Sequence, residues 1–112
     1  MTAATYNLTI DQGSDFAVQL TLNEGGVVKD LTGWAARAQL RSKKTSTSVA
    51  ATFTCTIPTP DNGIIIMELS NSETVGIPSG LYYYDLELYT PSDVNVTRLL
   101  EGSVNITQEV TR

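Results

Sequence analysis

The stretch GLYYYDLELY, residues 80–89, carries the strongest strand signal in this chain. Aromatic residues favour strands, and the second half alternates between apolar and charged side chains, which is the two-residue period of a strand with one buried face. This alternation puts Tyr82 and Tyr84 on the core side with the leucines. Tyr83, Asp85 and Glu87 fall on the opposite side. We therefore expect a central strand here.

The same period recurs on both sides of this strand. Turn signals interrupt it roughly every 8 to 12 residues, as at 23–26, 58–63 and 90–93. Long helical patterns are missing, and the spacing from Ser70 to Glu73 predicts one helical turn. Gly102 predicts a bulge in the last strand. The pattern predicts an all-β fold, an antiparallel Ig-like β-sandwich of about seven to eight strands.

The length of 112 residues predicts one domain that spans 1–112 and holds a single hydrophobic core. Polar ends and a polar loop without apolar anchors predict flexibility at about 1–4, 108–112 and 42–48.

The acidic composition excludes several classes of partner. A net charge of −5 repels phosphate backbones, so we expect no nucleic-acid binding. No basic-then-apolar leader and no long apolar run occurs, so we expect no membrane contact and synthesis without Sec export. The short basic cluster at Arg37, Arg41, Lys43 and Lys44 is interpreted as a solvated strand face and loop.

Catalytic chemistry has little support in this composition. The chain has no histidine and one cysteine, which excludes the usual nucleophilic triads and His/Cys zinc sites. Cys55 alternates with apolar residues and is interpreted as a core thiol. Asp85 and Glu87 are the only dense carboxylate pair on a strand, and we interpret them as a solvent face balanced by Arg98 or another basic neighbour. We predict no catalytic residue, no metal site and no cofactor.

Exposed aromatic rings leave a second class of function open. Trp34 and Tyr83 would stack on sugar rings if both faced outward, as in a carbohydrate-binding β-sandwich module. Because Tyr82 and Tyr84 are assigned to the core, this platform is small.

Four phrases of the sequence are similar to small β-rich structural proteins of tailed bacteriophages, found in tails, baseplates and capsid decoration. They are YNLTIDQGSDF (6–16), DLTGWAARAQLR (30–41), GLYYYDLEL (80–88) and RLLEG (98–102), and the resemblance extends to the terminal EVTR (109–112).

The resemblance implies a non-enzymatic virion component that is made in the bacterial host cytoplasm. Its partners would be other virion proteins, in a homo-oligomer or a symmetric array, with a position in capsid decoration or in the tail, neck or baseplate. The candidate interaction residues are Trp34, Tyr83, Asp85, Glu87, Arg98, Glu109 and Arg112.

Overall fold

The computed structural model of the chain describes residues 3–111. The strands of the first half are β1 (Ala4–Thr5), β2 (Leu8–Asp11), β3 (Phe16–Thr21), β4 (Asn23–Glu24), β5 (Val27–Val28) and β6 (Ala35–Arg41). The second half contains β7 (Ala51–Thr56), β8 (Ile64–Leu69), α1 (Asn71–Thr74), β9 (Gly80–Tyr89) and β10 (Val96–Thr107), with 3₁₀ turns at Pro60–Asn62 and Pro91–Asp93.

Eight of these strands form one sheet, which confirms the predicted all-β class. The hydrogen-bonded order is β1-β10-β9-β6-β7-β8-β3, and β2 also pairs with β10, while β4 and β5 form a separate hairpin. The predicted central position of β9 is confirmed, because β10 and β6 pair along its two sides. Its side chains alternate as expected, with Tyr82 and Tyr84 buried and Tyr83 half-buried on the other face.

The prediction of a purely antiparallel sheet is wrong at the N-terminus. β1 and β2 both run parallel to β10, with Ala4 opposite Leu100 and Leu8 opposite Val104. The remaining pairs in the sheet are antiparallel. Residues 4–11 therefore follow the last strand of the domain in the same direction, and the first and last parts of the described chain are held together.

The sheet curls because β7 is shared between two neighbours. Residues 51–53 pair with β6, whereas residues 54–56 pair with β8. A strand that changes partner halfway bends the sheet, so β8 and β3 turn back over the core. The result is a curled, mixed half-barrel, and the predicted Ig-like sandwich of two separate sheets is not confirmed.

The core fills the inside of this curl. Phe53 contacts Phe16 of β3 and Tyr84 of β9, both with ring centroids 6.2 Å apart, so it joins the edge strand β3 to the central strand β9. Leucine and isoleucine side chains complete the cluster, and the most deeply buried are Ile10, Leu31, Leu40, Ile65, Leu69, Leu86, Leu88 and Ile106.

The bulge in β10 lies three residues earlier than predicted. The register with β9 shifts between Arg98 and Leu100, so Leu99 is the extra residue. Gly102 is regularly paired with Tyr84 and has a different role. A Cβ atom there would collide with the carbonyl oxygen of Tyr6, where the N-terminal segment passes from β1 to β2. Close backbone approach, rather than a bulge, accounts for this glycine.

Side-chain hydrogen bonds occur in two short segments, α1 and the loop 42–48. The predicted helical turn is confirmed as α1, with a capping box formed by Ser70 and Glu73. In the loop 42–48, Ser46 accepts a 2.9 Å hydrogen bond from the Arg41 guanidinium through its carbonyl oxygen. The flexibility of this loop and of the two ends stays a prediction. None of the helices in residues 3–111 is long and apolar enough to span a membrane.

Candidate functional site

The outer face of β6, β9 and β10 is the richest surface in charged and aromatic side chains. Strand alternation and the register place these residues beside one another, with Arg37 opposite Glu87 and Arg41 opposite Tyr83. We call this surface the outer face. It comprises Arg37, Gln39 and Arg41 from β6, Tyr83, Asp85, Glu87 and Tyr89 from β9, and Arg98 and Glu101 from β10.

The bulge at Leu99 is what brings both charged residues of β10 to this face. Arg98 pairs with Glu87 and Glu101 pairs with Asp85, although the two residues are three positions apart. Without an extra residue, an odd spacing would place them on opposite faces. The bulge also allows Leu99 to be buried and Leu100 to be half-buried.

Ion pairs connect the charges of the outer face. The Arg37 Nε atom donates to Glu87 Oε1 at 2.9 Å, and its Nη1 reaches Asp93 Oδ1 at 3.3 Å. Arg98 lies farther from its acids, 3.5 Å from Asp85 Oδ2 and 3.7 Å from Glu101 Oε2. The predicted balance of Asp85 and Glu87 by basic neighbours is confirmed, with Arg98 beside Asp85 and Arg37 on Glu87. Exposed pairs of this kind contribute about 0–1 kcal/mol each, so they stabilise the fold little.

Tyrosine rings also contact the cations. The Arg37 guanidinium lies 4.4 Å from the centroid of the Tyr89 ring, and Lys44 Nζ lies 5.8 Å from that of Tyr83. Such cation–π contacts hold long side chains in defined positions on the surface.

A shallow groove of about 170 Å³ opens in the outer face beside Tyr83. Arg41, Lys44, Asp85 and Arg98 contribute to its walls. Partial burial raises the pKa of Asp85, and the neighbouring Glu87 and Glu101 add to this effect, while Arg98 opposes it. The groove thus presents cations, carboxylates and one aromatic ring within a small area.

The structure brings together four of the seven predicted interaction residues, namely Tyr83, Asp85, Glu87 and Arg98. Trp34 lies elsewhere, half-buried beside Leu88 and Leu99 at the other end of β6, with Lys29 Nζ 5.7 Å from the ring centroid. Glu109 lies near the turn after β2, where its backbone N–H donates to Gln12 Oε1 at 3.0 Å. Arg112 lies outside the described residues.

Several members of the outer face escaped the sequence analysis. The predicted solvated strand face at Arg37 and Arg41 is where these residues lie, but the sequence does not indicate their pairing with β9. Their alternate spacing on a strand was the available signal. The two consecutive leucines at 99 and 100 broke the alternation and could have indicated the bulge.

A second surface is the free edge formed by β3. It occupies the end of the sheet, with β8 as its only partner among the described strands. Phe16, Val18 and Leu20 are half-buried, and the residues between them are exposed. Beside this edge lies an apolar seam of about 270 Å³, lined by Ala4, Leu20, Leu22, Leu86, Leu99 and Leu100.

The described part of the chain contains no cluster of metal-binding side chains and no buried polar side-chain atom without a hydrogen bond. Within residues 3–111, no three His, Cys, Asp or Glu side chains gather at metal-binding distance. Every buried side-chain nitrogen or oxygen of these residues has a hydrogen-bond partner.

Comparisons with known proteins give a likeness of fold. No family model and no curated protein matches the chain. The cysteine protease inhibitor EhICP2 from Entamoeba histolytica is similar over 94% of this chain and 93% of that chain, with 19% identity and a TM-score of 0.49. InlP of Listeria monocytogenes is similar over 94% of this chain and 28% of that chain, with 13% identity and a TM-score of 0.50. The chain therefore spans little more than a quarter of InlP, and the likeness is one of fold alone.

Proposed function

We propose that this chain is a non-enzymatic structural protein of a tailed bacteriophage, which assembles with other virion proteins through its outer face. The observation that carries the proposal is the gathering of Arg37, Arg41, Arg98, Tyr83 and Tyr89 on one accessible sheet surface. The virion setting comes from the sequence resemblance.

Arginine and tyrosine are among the side chains that are enriched where proteins bind proteins. They dominate interface hot spots because they combine a large contact area with directional polar groups. The interleaved acids give such a face a specific charge pattern, which selects a complementary partner and rejects a like-charged one. The groove beside Tyr83 would accept a side chain from that partner.

The ion pairing and the open location of Asp85 and Glu87 support a non-enzymatic role. Glu87 is held by Arg37, and Asp85 faces Arg98 on an open sheet surface. Neither lies in a closed cavity where a carboxylate pair would be shielded from water for acid–base chemistry.

The position that we propose for the chain in the virion follows from the sequence resemblance. The chain would serve as a capsid decoration or as a tail, neck or baseplate component, incorporated in repeated copies in the host cytoplasm. We also propose that the curled sheet is an open relative of the Ig-like sandwich, since β3 and β9 face each other through Phe53.

Sugar binding by a joint Trp34 and Tyr83 platform has less support. Trp34 precedes Ala35, which pairs with Tyr89, whereas Tyr83 pairs with Arg41 at the opposite end of β6. The two rings thus lie at opposite ends of the strand and do not form one surface.

Immunogold electron microscopy with an antibody against the purified chain tests the proposal. We expect regular labelling at one location on tailed particles from the source culture. Purified particles lacking this chain should bind it in solution, and Tyr83→Ala with Arg98→Ala should weaken binding at least tenfold. Thr54→Ala, at an exposed site on β7, serves as the matched control. Unlabelled particles, or equal binding by both variants, would contradict the proposal.

A further inference from the structure

We propose that β3 is a self-association edge, through which two copies of this chain pair as antiparallel strands about a two-fold axis at Gln19. The inference rests on the assembly role proposed above and assigns the second copy to a surface distinct from the outer face.

The backbone of β3 has hydrogen-bonding groups directed away from its neighbour. The Leu22 N–H donates to the Gly63 carbonyl oxygen at 2.8 Å, which makes that pair a hydrogen-bonded one. Hydrogen-bonded pairs alternate along an antiparallel ladder, so residues 16, 18 and 20 bond to β8. Ala17, Gln19 and Thr21 therefore direct their N–H and C=O groups to the open side, where no other described strand is hydrogen-bonded to β3.

The edge lacks the features that normally block strand pairing. Charged residues, proline and bulges protect most sheet edges. The six residues of β3, FAVQLT, contain no charge and no proline, and their register with β8 is regular. The other end of the sheet differs, because its edge consists of β1, with two residues, and β2, with four residues that end at Asp11.

The uncharged β3 strand permits a second copy as the occupant. Two chains of net charge −5 repel each other, so a symmetric contact needs a neutral surface. Glu68 is the single charged residue in β3, β7 and β8. In the paired sheet the two Glu68 residues lie on separate strands, about three strand spacings or ~14 Å apart at least, which exceeds the Debye length of ~8 Å at physiological salt.

The sequence of β3 is complementary to itself in one register. With Gln19 opposite Gln19 of the second copy, Ala17 lies opposite Thr21, and all three open-side residues form hydrogen-bonded pairs. The half-buried side chains keep the same face, since Val18 lies opposite Leu20. A shift by one residue would reverse the faces. Pairing here also places a strand beside the apolar seam, which Leu20 of β3 and the following Leu22 line.

Sedimentation equilibrium of the full chain tests the association. A single strand pair is smaller than a standard interface, so we expect a weak dimer, detectable by about 1 mM. Gln19→Lys places two like charges at the axis and should weaken the dimer about tenfold or more. Asn105→Lys makes the same charge change at an exposed site on β10 and should have a much smaller effect. A monomer at this concentration, or equal weakening by both variants, would overturn the inference.

Cysteine cross-linking tests the register. In a Cys55→Ser background, Gln19→Cys should give a disulfide-linked dimer on mild oxidation, because a hydrogen-bonded pair places Cα atoms about 5.5 Å apart. Ala17→Cys is the control on the same strand and face, since its copy lies four residues away, about 13 Å. Cross-linking of Ala17→Cys at a rate equal to that of Gln19→Cys would refute the register.

The two proposals fail in different ways. A wild-type chain that binds particles but stays monomeric overturns the β3 pairing alone. A chain that dimerises through Gln19 but is absent from particles overturns the virion role alone.

Discussion

At Gly102 the N-terminal segment runs beside β10 in close backbone contact. The Tyr6 N–H donates to the Glu101 carbonyl oxygen at 2.9 Å, and the Tyr84 hydroxyl donates to the Tyr6 carbonyl oxygen at 2.6 Å. A side chain at 102 would displace this carbonyl and break both contacts. The glycine is thus required by the close approach of two backbones rather than by its own torsion angles.

We expect Gly102→Ala to lower the free energy of unfolding by about 2–3 kcal/mol, because the colliding atoms are backbone and have no rotamer to adopt. Gly76→Ala is the matched control, since its added Cβ would meet the Glu73 carbonyl oxygen at an ordinary 3.8 Å. Urea denaturation measures both. Equal stability of the two variants would refute the close approach.

Cys55 should react slowly in the folded protein. Burial raises the pKa of its thiol to about 11, from the ordinary 9.0. The reactive thiolate at pH 8 is then about 100-fold scarcer than in the unfolded chain. Alkylation by iodoacetamide at pH 8, followed by mass spectrometry, should show about this difference between native protein and protein in urea. A difference below tenfold would contradict the raised pKa.

The capping box gives a prediction at the level of the element. Ser70 N–H donates to Glu73 Oε1 at 2.9 Å, and Glu73 N–H donates to Ser70 Oγ at 3.3 Å. We expect Ser70→Ala to cost about 1 kcal/mol of stability, because the Glu73 N–H loses its side-chain acceptor. Thermal denaturation should show a lower Tm than for Ser79→Ala, an exposed serine outside the box. A Tm equal to that of the control would argue against the cap.

Elements that depend on a local sequence pattern were predictable. Strand pairings between residues that are far apart in the chain were not. The alternation over 80–89 and the Ser70 to Glu73 spacing each lie within a few residues, and both predictions are confirmed. The parallel pairing of β1 and β2 with β10 joins residues almost a whole chain apart, and alternation is the same in parallel and antiparallel edge strands. Within the candidate site, the alternation of β9 predicts that Tyr83, Asp85 and Glu87 share one face. The contact of Arg37 with Glu87 depends on the register between β6 and β9, which the sequence does not show.

Charge divides the whole molecule into two unlike halves. The strands β6, β9 and β10 contain the arginines, acids and tyrosines of the outer face, whereas β3, β7 and β8 contain one charged residue. Because β7 is shared, the curl turns these halves to opposite sides of one core. A heterologous partner on one side and a second copy on the other would not compete for the same surface.

This topology also predicts where the fold opens first. β9 is paired on both sides over most of its length and is packed on one face by the core, so its amides exchange only when much of the sheet opens. β1 contains two exposed residues, and the β4–β5 hairpin stands apart from the sheet. Hydrogen exchange measured by mass spectrometry should therefore show the strongest protection over 82–88 and the weakest over 4–5 and 23–28. Protection at 23–28 equal to that of β9 would contradict the sheet order.

β3 has one strand neighbour in the monomer, so its open-side amides at Ala17, Gln19 and Thr21 should exchange fast in dilute protein and slow down as concentration rises.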